Sequence, residues 1–375
     1  DQQSLTELST GLGVSVEEFT LKMRRAESRN FVYLRRRAKP SEADAILSLG
    51  LPGVYGEKEY HRFYPGGEIA AHVVGFTNID DVGQEGIELS FDDWLSGKPG
   101  KKKVLKNLYG EIVRDIMPVA EAVPGRNLRL SIDQRLQFLA YRELKSAIAQ
   151  YEALSGSFVL LDVQTGEVLA MANQPSYNPN NRIQLDLSSV RNRAVTDVFE
   201  PGSTVKPFTV AVALESGLDL DYTIDTSPGF LRVDDAVIKD PRNRGVLDLG
   251  GILAYSSQVG ISRLALSLNE YDIWKQFQTL GFGEVTGVGF PGESSGFLPN
   301  RRRWKDIERV TFAYGYGLTV TPLQLASAYS TIASGGIKRE VTLIADQTSK
   351  GERVMNAQIA FQLQSMLGRV ITEGT

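Results

Sequence analysis

The chain has 375 residues, of which 42% are hydrophobic and 23% are charged, a composition ordinary for a soluble globular protein of two or three domains. The net charge of -4 does not fit a nucleic-acid-binding protein. There is no cysteine and there are only two histidines, His61 and His72, so disulfides and thiolate chemistry are excluded and we expect neither a metal site nor a cofactor.

The first half of the chain shows no constellation of residues typical of a catalytic site. Residues 1 to about 50 have the pattern of short helices, and Ser15 followed by Glu18 predicts a capping box. Farther on, the segments 103–105 and 111–113 flank a Tyr-Gly turn and indicate a β-hairpin. No apolar run reaches the roughly 18 to 20 residues that span a bilayer.

The second half begins after Pro124-Gly125, a turn dipeptide that is the best candidate for a domain boundary. We therefore predict an N-terminal domain of residues 1–124 and a C-terminal domain of residues 125–375. Residues 128–130 alternate like a strand, and Asp133 has the position of an N-cap before apolar residues at helical spacing.

A buried hairpin is predicted next, from the apolar runs 158–161 and 168–171 and the Gln-Thr-Gly turn between them. Several segments of helical periodicity follow the hairpin. This order indicates an α+β domain, in which helices pack on an antiparallel sheet.

The segment 199–208 contains a candidate nucleophile and base, Ser203 and Lys206. Pro207 is tolerated only in the first turn of a helix, so the helix is predicted to start near residues 202–204, with Ser203 beside free N–H groups that can stabilise an oxyanion. Lys206 would lie one turn away on the same face and could act as base if desolvation or nearby positive charge lowers its pKa. The alternative is an N-cap serine and a surface lysine, so Ser-x-x-Lys needs companion motifs.

A candidate companion is Ser256-Ser257-Gln258, between two apolar segments that predict a helix-helix corner. A hydroxyl there could relay protons to Lys206, and the Gln258 amide could hold a substrate amide. The alternative for two serines in isolation is a polar loop.

Three longer segments accompany these residues: 173–181, 197–207 and 313–325. With them the chain resembles the class B penicillin-binding proteins, in particular the division-specific peptidoglycan D,D-transpeptidases of Gram-negative bacteria. The resemblance implies an α+β transpeptidase domain preceded by an elongated N-terminal pedestal. It also implies Ser203 as nucleophile, Lys206 as base, Ser256 as proton relay, and Gln258 and Thr204 as substrate-binding residues.

The function that the resemblance implies is cross-linking of peptidoglycan stem peptides during septal wall synthesis, through a serine acyl-enzyme that β-lactams also form. The implied partners are stem peptides, β-lactam antibiotics, membrane proteins of the division complex and a glycosyltransferase, with no nucleic acid. The implied location is the periplasmic side of the inner membrane, with the N-terminal anchor absent from this chain.

The chain departs from the family pattern in two places. Gln258 stands where the family has Asn, and no Lys-Thr-Gly or Lys-Ser-Gly follows Ser256. We expect that the sequence is cut short before that strand, and the alternative is a catalytically impaired scaffold of the division complex. A serine β-lactamase is the third possibility, although no motif for activating a deacylating water is visible.

Overall fold

The computed structural model describes residues 2–26, 28–29, 31–107, 112–183, 185–347 and 349–374. The chain forms two compact units, residues 1–63 and 64–375. The helices are α1 (Gln2–Leu12), α2 (Val16–Arg25), α3 (Pro40–Leu47), α4 (Gly67–Val74), α5 (Gly86–Ser90), α6 (Asp92–Leu95), α7 (Gln134–Gln150), α8 (Arg193–Thr196), α9 (Lys206–Glu215), α10 (Leu249–Ala254), α11 (Gln258–Ser267), α12 (Asp272–Thr279), α13 (Asp306–Ala313), α14 (Pro322–Ala333) and α15 (Ala357–Glu373). Two short 3₁₀ helices span Leu187–Ser189 and Gly202–Val205. The strands are β1 (Phe76–Thr77), β2 (Gly83–Glu85), β3 (Lys101–Lys106), β4 (Ile112–Ala120), β5 (Gly156–Leu161), β6 (Val168–Gln174), β7 (Thr223–Asp225), β8 (Phe230–Val233), β9 (Ala236–Lys239), β10 (Val246–Asp248), β11 (Ile337–Lys338) and β12 (Glu352–Arg353).

The first unit is helical, as its periodicity predicts. The hydroxyl of Ser15 accepts a hydrogen bond from the Glu18 N–H (3.1 Å), and the Glu18 carboxylate accepts one from the Ser15 N–H (3.3 Å), so the predicted capping box at the start of α2 is confirmed. The helices enclose a small core of their own, formed by Leu8, Leu12, Phe19 and Ile46.

The second unit contains the strands and the larger core. In the described part of the chain the strands form six two-stranded sheets, each antiparallel, with helices packed around them. The predicted α+β class is therefore confirmed. The hairpin predicted at 158–171 is β5 and β6, in a register that pairs Val159 with Met171. Strand β6 is buried because Val168, Ala170 and Met171 have no exposed surface.

Two other strand predictions have different outcomes. Strands β3 and β4 pair as predicted, while residues 108–111, which include the predicted Tyr-Gly turn, lie outside the described residues. The strand predicted at 128–130 is wrong, because Leu130 forms only an isolated antiparallel bridge with Ile344. The extended segment ends there since Asp133 caps α7, accepting hydrogen bonds from the N–H groups of the helix's first turn. This N-cap is as predicted.

Helix α9 is the centre of the larger core. All its residues from Lys206 to Leu214 are buried, and it packs against α11, α12 and α15. Phe208, Val210 and Ala211 have no exposed surface. A helix surrounded on every side holds its first residue, Lys206, away from water.

The compact division of the chain falls between Phe63 and Tyr64, ahead of the predicted boundary at Pro124-Gly125. Val73 and Ile87 share one hydrophobic cluster with Val168 and Met171, so residues on both sides of Pro124 contribute to a single core. Packing and catalytic role are separate properties, and the division into a pedestal of residues 1–124 and a catalytic domain of residues 125–375 stays a prediction.

Candidate active site

The turn that carries Ser203 is a 3₁₀ helix, Gly202–Val205, which continues into α9 at Lys206. The N–H of Lys206 donates to the Ser203 carbonyl in a 3₁₀ bond. Pro207 follows in the first turn of α9, where the predicted helix start placed it. The α-helix itself begins slightly later than predicted, because Pro207 has no N–H with which to bond a carbonyl of the preceding turn. Ser203 is exposed at this helix start.

Gly315 packs directly against the nucleophile turn. Its carbonyl accepts a hydrogen bond from the Gly202 N–H (3.1 Å), and both glycines have positive φ, +93° and +56°. A Cβ added to Gly315 would lie 2.1 Å from the Gly202 carbonyl oxygen. Next to this contact, Phe199 and Val320 exchange two backbone hydrogen bonds of 3.0 Å. Through these backbone contacts the segment 313–325 holds the turn that carries Ser203.

Three side chains form a continuous hydrogen-bonded chain at the site. The Ser256 Oγ donates to the Ser203 Oγ at 3.0 Å. The Lys206 Nζ donates to the Ser256 Oγ at 3.0 Å and to the Ser256 carbonyl at 2.6 Å. Within the described residues the Lys206 Nζ makes no hydrogen bond to the Ser203 Oγ, and the Ser256 hydroxyl links the two groups.

Lys206 is buried, with 1% of its surface exposed. Loss of hydration disfavours the ammonium form and lowers the pKa of Lys206 to about 8, while the negative charge of Asp240 partly opposes this change. Desolvation, one of the two causes anticipated for a lowered pKa, is thus the one that operates. A surface lysine, the alternative reading of Ser-x-x-Lys, is excluded by the burial.

The second motif forms a corner between α10 and α11, as predicted. Ser256 lies in this corner with φ of +51°, a left-handed conformation that non-glycine residues rarely adopt. Ser257 is the N-cap of α11, and its hydroxyl accepts a hydrogen bond from the Gly260 N–H at 2.8 Å. The side chain of half-buried Gln258 has no hydrogen-bond partner among the residues the structure describes.

Thr204 lies at the edge of a cavity next to the nucleophile turn. Its hydroxyl donates to the Pro201 carbonyl (2.7 Å), and its carbonyl accepts a hydrogen bond from the Tyr329 hydroxyl (2.7 Å). The cavity, of about 540 Å³, is also lined by Ser157 and Phe199. Thr204 is therefore in reach of a ligand, although its hydroxyl is already used within the turn.

The comparison with known protein families agrees with this geometry. Residues 156–375 match the family described as penicillin binding protein transpeptidase domain, which is more than half of the chain. The chain belongs to this penicillin-binding protein family. Residues 1–130 match a second description, the penicillin-binding protein dimerisation domain. The predicted resemblance to class B penicillin-binding proteins is confirmed.

Individual relatives place the chain more closely within the family. It is 45% identical over 369 residues to peptidoglycan D,D-transpeptidase FtsI of Escherichia coli K12, covering 98% of this chain and 62% of the relative. It is 38% identical over 374 residues to the probable peptidoglycan D,D-transpeptidase PenA of Neisseria meningitidis, covering 99% and 64%. The chain thus spans slightly less than two thirds of the length of these relatives.

Solved structures of the family are also similar. Penicillin binding protein 3 of Mycobacterium tuberculosis in its apo form aligns with a TM-score of 0.74 and 31% identity, over 83% of this chain and 69% of that one. The same protein is known in complex with aztreonam and with ampicillin. The transpeptidase domain of penicillin-binding protein 3 from Burkholderia pseudomallei aligns with a TM-score of 0.59 and 37% identity, over 66% and 72%.

Several residues of this family site escaped prediction from the sequence. Asp240 contacts the second motif from 18 residues upstream of Gln258, and Tyr329 contacts Thr204 from 125 residues away. Gly315 lies in the segment 313–325, but its contact with Gly202 had no local signal. Only Ser257 had a local signal, since serine directly before an apolar helical run is a common N-cap. Among the described residues there is no group of three side chains that could hold a metal ion, and no helix long and apolar enough to cross a membrane.

Proposed function

We propose that this chain is the acyl-transfer part of a peptidoglycan D,D-transpeptidase that works through an ester on Ser203. The observation that carries the proposal is the chain of Ser203, Ser256 and Lys206, joined by two contacts of 3.0 Å, with the lysine buried. A serine hydroxyl becomes an effective nucleophile only when a positioned base removes its proton, and this arrangement supplies one. The relatives named above are described as D,D-transpeptidases, which supports the same reaction.

In the proposed first step, neutral Lys206 takes a proton from the Ser256 hydroxyl, which takes the proton of Ser203. With a pKa of about 8, about a quarter of Lys206 is neutral at pH 7.5, against about one molecule in a thousand for a lysine at 10.5. The Ser203 oxygen attacks the carbonyl of the D-Ala-D-Ala amide, and N–H groups at the helix start face the oxyanion. The C–N bond then breaks, and D-alanine leaves with the proton returned through Ser256.

In the second step, an amine from a neighbouring strand attacks the ester carbonyl of the acyl-enzyme. The amine gives up a proton to the same hydroxyl–lysine relay, and the new amide bond forms as the ester C–O bond breaks. The relay returns the proton to the Ser203 oxygen, which is again a hydroxyl. A β-lactam presents a strained amide to the same oxygen. Its ring opens onto Ser203, and because the leaving nitrogen stays tethered, the ester persists.

Substrate recognition is proposed for Gln258 and Thr204. The Gln258 amide follows directly on the Ser256–Ser257 corner and has both donor and acceptor groups available. Thr204 follows the nucleophile and lines the adjacent cavity. These positions suit contacts with the peptide backbone of the acyl donor.

The cellular setting is proposed from the relatives. We infer septal wall synthesis at the periplasmic side of the inner membrane, with stem peptides as substrates, β-lactams as inhibitors, and division-complex membrane proteins and a glycosyltransferase as partners. Similarity to FtsI of Escherichia coli over 98% of this chain supports this setting. Residues 1–124 are the proposed pedestal and residues 125–375 the catalytic part.

The test is β-lactam acylation of the full gene product, including any residues that the gene encodes after Thr375. Intact mass and peptide mapping should find one adduct, on Ser203, and Ser203→Ala should abolish it. Ser216→Ala is the matched control, because Ser216 is an exposed serine at the other end of α9, and this variant should be acylated normally. An adduct on another serine contradicts the assignment. Absence of any adduct favours the scaffold, and rapid nitrocefin turnover favours a β-lactamase.

A further inference from the structure

Asp240 holds the corner that carries the second motif. It directly follows strand β9, and its own N–H donates to the Gly229 carbonyl at 3.0 Å. One carboxylate oxygen accepts the Ser257 hydroxyl at 2.5 Å. The other accepts the backbone N–H groups of Gln258 (2.6 Å) and Val259 (3.1 Å). A single side chain thus ties the β8–β9 hairpin to the first turn of α11.

These contacts satisfy donors that the start of α11 would otherwise leave free. The first N–H groups of a helix have no partner inside the helix. Asp240 accepts those of Gln258 and Val259, and Ser257 accepts that of Gly260. The carboxylate also lies at the positive end of the helix dipole, where negative charge is favoured.

The corner needs this restraint because Ser256 is in a strained conformation. Its φ of +51° is sparsely populated for a side chain other than glycine and persists only where the surroundings hold it. On one side the Ser256 N–H donates to the Leu253 carbonyl at 3.1 Å. On the other side the following residues are fixed by Asp240. The result is that both the carbonyl and the hydroxyl of Ser256 face the Lys206 amine.

Asp240 also acts on Lys206 through its charge. Asp240 binds Ser257 and Gln258, the two residues that follow the Ser256 to which Lys206 donates. At this position its negative charge favours the ammonium form and so raises the pKa of Lys206. Burial acts in the opposite direction and dominates.

We propose that Asp240 is a positioning residue of the acyl-transfer site, whose carboxylate fixes the Ser256–Gln258 corner against Lys206 and supplies the negative charge that the buried amine experiences. The chemical role in acylation rests on the proposed function. The charge effect on Lys206 is a property of the folded chain and holds whatever the reaction is, so the two parts are tested separately.

The first experiment measures Lys206 directly. Lysine labelled with ¹³C at Cε is followed by NMR from pH 6 to 10, and the Lys206 resonance is the one that disappears in Lys206→Arg. Asp240→Asn should move its titration midpoint to lower pH, and Asp240→Glu should leave it near that of the wild type. Asp133→Asn is the matched control, because Asp133 is another carboxylate that caps a helix start, on α7, and it should not move the midpoint. An Asp240→Asn midpoint equal to or above that of the wild type overturns the charge role.

The second experiment measures acylation by a β-lactam across the same pH range. Asp240→Asn and Asp240→Glu should both slow acylation by about tenfold or more, since displacement of catalytic groups by about 1 Å is enough for up to a hundredfold loss. The acidic limb of the pH–rate profile should move to lower pH in Asp240→Asn alone. If Asp240→Asn does not fold, Asp240→Glu tests the positioning role by itself. It should be acylated more slowly than the wild type while the acidic limb of its pH–rate profile stays in place.

Wild-type acylation rates in Asp240→Glu overturn the positioning role. A merely structural role would lower the unfolding temperature and leave both the limb and the NMR midpoint in place. Failure of the proposed function has a different signature, namely that the wild type itself forms no adduct on Ser203 while the NMR titration is unaffected.

Discussion

The support of the nucleophile turn by Gly315 makes a sharp prediction. A Cβ at this position would lie 2.1 Å from the Gly202 oxygen and 2.5 Å from the Gly202 nitrogen. Both are backbone atoms, so no side chain can rotate away. Since carbon and oxygen approach normally to about 3.3 Å or more, the Gly315→Ala substitution must move the turn by about 1 Å.

We expect Gly315→Ala to slow acylation of Ser203 by about a hundredfold, because a misplacement of about 1 Å has an effect of that order. It should also destabilise the fold by more than the roughly 1–2 kcal/mol that alanine loses in a left-handed conformation. Gly317→Ala is the matched control. Gly317 has a φ of +76°, but a Cβ there meets no atom within 4 Å.

The assay pairs stopped-flow acylation by a chromogenic β-lactam with urea unfolding of the same samples. Gly317→Ala should show the conformational loss of about 1–2 kcal/mol and keep its acylation rate within a few-fold of the wild type. Equal rates in the two variants, or wild-type acylation in Gly315→Ala, would refute the idea that this contact positions Ser203.

Three other predictions concern the base, a buried histidine and the second motif. Lys206→Ala should slow acylation by about 10² to 10⁴, and Lys206→Arg should not restore it, because guanidinium does not lose its proton at working pH; near-normal acylation of either variant, by intact mass against time, would place the base elsewhere. Burial lowers the pKa of His72 to about 4. Between about pH 6.5 and 4 the unfolded chain therefore binds a proton at His72 that the folded chain does not bind, and the free energy of unfolding falls as the pH is lowered through this range. By pH 5 the loss is about 2 kcal/mol, measured by urea unfolding at pH 7 and 5, and it should shrink in His72→Gln; an equal loss in that variant would assign it to other groups. Gln258→Asn should speed acylation by a few-fold to about tenfold, the worth of one hydrogen bond, and only for a β-lactam with an amide side chain; slowing of compounds with and without that amide would show that the corner is built around glutamine.

Local signals were sufficient for many elements of the fold. The caps at Ser15 and Asp133 and the position of Pro207 depend on atoms within a few residues of one another, and each is observed. The β5–β6 hairpin was equally readable, because its two apolar runs are joined by a short turn. Interactions of this range are determined by neighbouring residues, and so they can be recognised in the order of the sequence.

Longer-range packing was not readable in the same way. The segment 128–130 has the alternation of a strand, yet within the described residues it forms a single isolated bridge, between Leu130 and Ile344, more than 200 residues away, and one bridge does not make a ladder. Likewise, the turn at Pro124-Gly125 is a clear local break, but Val73 and Ile87 still pack with Val168 across it. A break in local structure does not show which surfaces meet after folding.

At the candidate active site the sequence by itself determined the identity and spacing of the proposed nucleophile and base, Ser203 and Lys206, and the family to which the motifs belong. Only the tertiary structure decided how they act. The pKa of Lys206 depends on the core around α9. Hydrogen bonds link the Lys206 Nζ to the Ser203 Oγ through Ser256, which is 50 residues from Lys206. The corner that carries Ser256 is bonded to Asp240, which follows the β8–β9 hairpin. Desolvation depends on which atoms exclude water from a group, and hydrogen bonds between distant segments depend on which segments meet. Both therefore arise from packing in three dimensions and not from neighbours in the chain.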